Sequence, residues 1–114
     1  MDFKQKVMGY LQQDHRVSVE ITEPGLEATI YFTPITVIEF DKILTMSQGS
    51  SSGIHIWTLI EKAEDEAGKK MFSTEDKPFL EKLPWGVVNQ ITSKILKIPT
   101  VEETKKNSEK TPST

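Results

Sequence analysis

The sequence contains no cysteine, which excludes disulfide bonds, thiolate catalysis and zinc sites of the cysteine type. Arg16 is the only arginine among 14 basic residues. Because bidentate recognition of phosphate and guanine depends on arginine, this composition disfavours a protein that reads nucleic-acid sequence. No apolar run approaches the ~20 residues that span a bilayer, and no apolar secretory-signal core is visible near the start. We therefore expect a cytoplasmic protein that binds neither nucleic acid nor membrane.

What is present is the composition of one small folded domain. The chain has 114 residues, of which 36% are hydrophobic and 27% charged, with a net charge of −3. A chain of this size can bury one core of modest size. Residues 99–114 contain Val101 as their only apolar residue besides two prolines, and we predict that this tail is disordered. The folded domain is then residues 1–98.

The order of hydrophobic patterns predicts an α+β fold that is mainly helical. A short N-terminal helix, with Asp2 as its cap, precedes a β-hairpin over residues 16–32. A bundle of about four helices follows, and Thr36 and Glu39 form a capping box at its start. The glycine- and serine-rich run 48–53 is typical of a flexible linker. The four helices are predicted at about 36–47, 54–67, 76–83 and 84–98, with Phe79, Leu80 and Leu83 on the buried side of the third.

Residues able to carry out catalysis are few. The two histidines, His15 and His55, do not lie in a nucleophile motif, and neither has a partner at the i, i+3 or i+4 spacing of a metal site. The acidic run 61–66 is followed by Ala67 and lysines rather than by calcium ligands, so a solvated face is the simpler interpretation. We expect no enzymatic activity, no cofactor and no metal.

Large apolar side chains concentrate between residues 57 and 85. Most residues of this kind belong to a core, yet Trp57 lies off the main apolar stripe of its predicted helix, and Trp85 stands between Pro84 and Gly86. Tryptophan and methionine are also favoured at adaptable protein-binding surfaces. Two interpretations stay open, a core position or a partner-binding position. The candidate partner-binding residues are Trp57, Met71, Phe72 and Trp85.

The same region carries a motif that resembles the tail assembly chaperones of long-tailed, lambda-like bacteriophages. Those proteins often contain the pattern D-x-x-G-x-x-hydrophobic-F-x-x-x-D, followed by leucines and a valine-rich helix. In this chain the pattern is formed by residues 65–76, with Leu80, Leu83-Pro84 and Val87-Val88 after it. The upstream run 34–41, PITVIEFD, is similar to the same family. The resemblance covers roughly residues 15–98.

The resemblance implies a non-enzymatic assembly factor in the host cytoplasm. Such a protein binds the long, helical tape measure protein, keeps it soluble, helps to recruit tail tube subunits and is absent from the mature virion. Self-association is expected too, since family members coat a long partner in many copies. The alternatives are a structural connector of a phage tail or head–tail junction, and a small regulatory domain unrelated to phage. A DNA-binding regulator would need a positive face, whereas residues 1–98 are net acidic.

Overall fold

The computed structural model describes residues 2–97, which form a mainly helical α+β fold: an N-terminal helix, a β-hairpin and four further helices. This is the predicted fold class. Ile98 and the tail 99–114, for which we predicted disorder, lie outside the described residues. The elements are α1 (Phe3–Leu11), β1 (Val17–Ile21), β2 (Ala28–Phe32), α2 (Val37–Ser47), α3 (Ser51–Lys62), a 3-10 turn (Thr74–Asp76), α4 (Lys77–Leu80) and α5 (Trp85–Leu96).

The β-hairpin forms where the alternating pattern predicted it. The two strands are antiparallel, with Val17 opposite Phe32 and Ile21 opposite Ala28. Every second side chain points to one face, and this face is buried except at Val17 and Ala28. It packs against α5, whose Gln90 side-chain amide donates a hydrogen bond to a β1 carbonyl at 3.1 Å. The buried strand residues are Val19, Ile21, Ile30 and Phe32.

Helix α3 is the centre of the domain, because it packs against α2, α4 and α5. Its Leu59 is fully buried, as is Ile43 of α2. Leu80 of α4 and Ile95 of α5 reach the same core. A helix enclosed in this way has apolar contacts on several sides rather than along one stripe.

Both ends of α3 differ from the predicted span of 54–67. The helix begins at Ser51, because the Ser50 hydroxyl accepts a hydrogen bond from the Gly53 amide at 3.0 Å and caps the first turn. Residues 51–53 are therefore helical and not linker. A Cβ atom at Gly53 would lie 3.1 Å from Ser50 and 3.3 Å from Ser47, so glycine permits the close approach of α2 and α3. The helix ends at Lys62, where the chain turns towards β2.

The last two helices are shorter than predicted. The span 76–83 contains the end of a 3-10 turn and only one turn of α helix, Lys77–Leu80. Pro78 lies in the first turn of α4, as expected, because its missing amide costs nothing there. Helix α5 begins after Pro84 and ends at Leu96, where Lys97 takes a left-handed conformation.

The capping box at the start of α2 is present and gives a first test. The Thr36 hydroxyl accepts from the Glu39 amide at 3.1 Å, and the Glu39 carboxylate accepts from the Thr36 amide at 3.0 Å. Thr36→Ala should therefore lower the free energy of unfolding by ~0.5–2 kcal/mol, measured by urea denaturation. Thr45→Ala is the control, because that hydroxyl only donates to a carbonyl inside the helix. Equal stability of the two variants would contradict a structural role for the cap.

Candidate partner-binding surface

The motif residues Asp65 and Gly68 build a tight hairpin loop between α3 and the 3-10 turn. The Asp65 carboxylate accepts hydrogen bonds from the amides of Ala67 and Lys69, at 2.9 and 3.0 Å. Gly68 has a φ of 87°, a left-handed conformation that favours glycine. The Asp65 amide donates to the Lys69 carbonyl at 2.9 Å, which closes the loop. This part of the motif thus has a structural role. Residues 63–67, which were predicted to be the end of a helix, instead lead into and form part of this turn.

The loop is attached to the β-hairpin on two sides. Glu64 and Tyr31 exchange backbone hydrogen bonds of 2.8 and 2.9 Å, which adds a short third strand position beside β2. The guanidinium of Arg16 lies 4.5 Å from the centre of the Tyr31 ring. It also donates to the carbonyls of Asp65 and Glu66. The single arginine of the chain therefore positions the loop.

An open cleft of about 550 Å³ lies where this loop leaves α3. Its apolar part consists of Ile60 from α3 with Met71 and Phe72 after the loop. Its charged wall is organised by Glu61, whose carboxylate oxygens lie 3.2 Å from the Lys42 ammonium and 3.6 Å from that of Lys70. The remaining lining residues are Ser73, Thr74 and Asp76.

The apolar part of the cleft continues onto an exposed ring. Phe72 and Phe79 meet edge to face, with ring centroids 6.4 Å apart, and Phe79 is exposed rather than buried as predicted. In the single turn of α4, Leu80 reaches the core and Phe79 lies on the solvent side. Phe79 does not line the cleft but adjoins it through Phe72, and we call Met71, Phe72 and Phe79 together the cleft surface.

Two of the four predicted partner-binding residues, Met71 and Phe72, lie together on the cleft surface. Trp57 is only 8% exposed and belongs to the core, which fits the core interpretation of this residue. Trp85 is 49% exposed at the start of α5, where its ring meets the His55 ring edge to face at a centroid distance of 4.7 Å. The structure therefore brings Met71 and Phe72 together but places the two tryptophans elsewhere.

Comparison with protein-family models, with curated proteins and with solved structures finds no match. None of the helices formed by residues 2–97 has the length and hydrophobicity of a membrane span. The same residues contain no group of three or more acidic or histidine side chains placed to hold a metal ion.

His55 has a structural environment of its own. The Thr92 hydroxyl donates to the Val88 carbonyl at 2.9 Å, so it accepts from His55 Nδ1 across a distance of 2.6 Å. Burial lowers the pKa of His55 and so favours the neutral ring, in which this hydrogen bond places the proton on Nδ1. His55 thus connects α3 to α5.

Glu61 in the cleft and Phe79 beside it were not among the four candidate partner-binding residues. Phe79 follows Phe72 by seven residues, but a loop and a 3-10 turn separate them, so no helical periodicity links the two rings. Glu61 stands in a run of acidic residues that resembles a solvated face. What the cleft offers chemically is an apolar floor beside paired charges, which suits an amphipathic protein segment.

Proposed function

We propose that this protein is a non-enzymatic assembly chaperone of the phage tail type, and that its cleft surface binds an apolar stripe of a helical tape measure protein. The observation that carries the proposal is that the segment 65–76, which resembles the family motif, also builds the cleft. Asp65 and Gly68 form the turn, while Met71 and Phe72 are presented to the partner.

The chemistry of the cleft supports a helical partner. A tape measure protein exposes long apolar stripes before the tail tube encloses it, and such stripes aggregate in water. A helix lying in the cleft would cover Met71, Phe72 and Phe79 with its apolar face, while Lys42 and Lys70 would face its polar edge. Binding of this kind keeps the partner soluble in the host cytoplasm until tail tube subunits are recruited.

Co-expression with the long helical protein encoded nearby, followed by pull-down and titration, tests the proposal. Phe79→Ala should weaken binding about tenfold or more, because an aromatic anchor at a helix-binding groove contributes ~1–2 kcal/mol or more. The ring is half exposed and lies outside the core, so the variant should remain folded and lose only ~1–2 kcal/mol of stability. Leu26→Ala is the matched control, since Leu26 is an exposed apolar residue on the hairpin turn, outside the cleft lining.

Two results would contradict the proposal. One is equal binding by the two variants, which would move the partner away from the cleft. The other is the presence of the protein in purified virions, which would favour the structural connector.

A further inference from the structure

Helix α1 carries an apolar stripe that does not pack into the core. Phe3, Val7, Tyr10 and Leu11 lie on one side of the helix at i, i+4, i+7 and i+8 spacing. Among residues 2–97, none of the residues of α1 is buried, and α1 packs extensively against no other helix or strand. A helix of nine residues is marginal in water when its apolar face has no partner. We call these four side chains the α1 stripe, and we expect another apolar surface to pack against it.

Helix α2 leaves half of its apolar side open. Ile43 and Ser47 face the core, whereas Val37, Phe40 and Leu44 on the adjoining side are exposed. These three lie at i, i+3 and i+7 spacing and form one line along the helix. We call them the open face of α2.

We propose that the α1 stripe of one copy docks on the open face of α2 in a second copy of this chain. Each face extends over two helical turns, so their lengths match. Their charges are also complementary. Lys4 and Lys6 flank the α1 stripe, and Asp41 flanks the open face of α2 by helical spacing.

The linker after α1 argues against docking within one chain. The His15 ring stacks on the Tyr10 ring at 3.6 Å, and its Nε2 donates to the Tyr10 carbonyl at 2.7 Å. Arg16, the next residue, is held by the carbonyls of the hairpin loop. These contacts hold both ends of the linker 12–15 and so fix the direction of α1. If α1 folded back onto α2 of its own chain, the contacts would be broken.

The segment 99–114 is a poor alternative cover, because Val101 is its only apolar residue besides proline. Reciprocal docking of two copies would instead form two equivalent contacts. Each contact would bury seven apolar side chains, four from the α1 stripe and three from the open face of α2. The total is on the order of 1,000 Å², which is near the lower end of stable protein interfaces. A concentration-dependent dimer is therefore expected. These residues lie outside the cleft lining, so this inference does not depend on the proposed function.

The absence of native cysteine permits a direct crosslinking test on the full chain. Val7→Cys chains are mixed with differently tagged Phe40→Cys chains under mild oxidation. A disulfide-linked heterodimer is expected, because α1 of one copy would contact α2 of the other. Met46→Cys replaces Phe40→Cys in the control, since Met46 is equally exposed, at 40% against 39%, but lies on the opposite side of α2. Equal crosslinking of Val7→Cys to Phe40→Cys and to Met46→Cys would overturn the proposal. So would an intramolecular disulfide in the monomeric double variant Val7→Cys/Phe40→Cys.

Sedimentation equilibrium supplies a second readout without new cysteines. Leu11→Ser and Leu44→Ser should each raise the dimer dissociation constant about tenfold or more, while Leu26→Ser should leave it unchanged. Deleting residues 98–114 should have no effect. A strict monomer at high concentration, unchanged association of the serine variants, or stronger association after the deletion would each contradict docking between copies. The two proposals can fail separately. A variant that no longer dimerises but still binds the tape measure protein supports this inference independently of the proposed function, and a variant that dimerises but does not bind the partner affects the proposed function alone.

Discussion

Replacing Trp57 by alanine should lower the free energy of unfolding by ~3–5 kcal/mol. The ring is almost fully buried in the central helix α3, beside core residues such as Ile60. Its removal leaves a large cavity that a small domain with one core cannot close by collapse. Urea denaturation followed by circular dichroism should show the loss, with a fall in the thermal midpoint of well over ~10 °C.

Trp85→Ala is the matched control for this prediction. The same side chain is removed, but from a half-exposed position where the ring packs edge to face on His55. We expect a smaller loss, ~1–2.5 kcal/mol, because about half of the Trp85 side chain is already in contact with water. Near-native stability of Trp57→Ala together with weaker binding of the proposed partner would instead assign Trp57 to the partner surface.

The elements with strong local signals could be predicted from the sequence. Thr36 and Glu39 sit three residues apart at the start of an apolar pattern, and the strands of residues 16–32 alternate with period two. Such signals depend only on neighbours in the chain. For that reason α2 and the hairpin appear within a residue or two of their predicted bounds.

The end of α3 depends on distant contacts, and the local sequence signal for it is ambiguous. Residues 61–67 are mostly good helix formers, so their intrinsic preference favours a longer helix. The backbone pairing of Glu64 with Tyr31, more than thirty residues earlier, ends the helix instead. Asp65 and Gly68 are a turn signal in themselves, but Gly68 also fits the position just after a helix, which led to the wrong bounds.

The candidate partner-binding surface could be predicted only in part, because some of its determinants are also contacts between residues distant in the sequence. Met71 and Phe72 could be found because they stand inside the motif that resembles the phage family. Trp57 was placed off its helix's stripe because periodicity assumes one buried side, whereas α3 is enclosed on several. Lys62 gave no signal, since a lysine is rarely buried and looks like a surface residue.

Lys62 is nevertheless one of the most buried polar residues, with 2% of its side chain exposed. Its ammonium donates to the Thr33 hydroxyl at 2.8 Å and to the two carboxylate oxygens of Glu39 at 2.9 and 3.0 Å. Burial alone would raise the pKa of Glu39, but the hydrogen bonds from Lys62 and Thr36 and the charge of Lys62 outweigh it, so the pKa is lowered. The Glu39 carboxylate thus accepts hydrogen bonds both from the Thr36 amide in the α2 cap and from Lys62 at the end of α3.

Lys62→Ala should therefore destabilise the protein by ~2–4 kcal/mol near neutral pH, because the carboxylate of Glu39 loses its partner and the aliphatic stem of Lys62 leaves a gap. Lys62→Met keeps a stem of similar size and should cost less. Lys77→Ala is the control. Its ion pair with Glu81 at 3.3 Å is solvent-exposed, and we expect a change within ~0.5 kcal/mol.

The pH dependence gives the Lys62 prediction its signature. Since the folded pKa of Glu39 lies below the unfolded value, the stability it contributes is present above the unfolded pKa and is lost as pH falls through the folded pKa. Both Lys62 variants lack most of this contribution. Urea denaturation at pH 7, 5 and 3 should therefore show the gap between the original protein and the variants narrowing in acid. A gap that stays constant, or a cost for Lys62→Ala no larger than that for Lys77→Ala, would show that the pair does not stabilise the junction of α2 and α3.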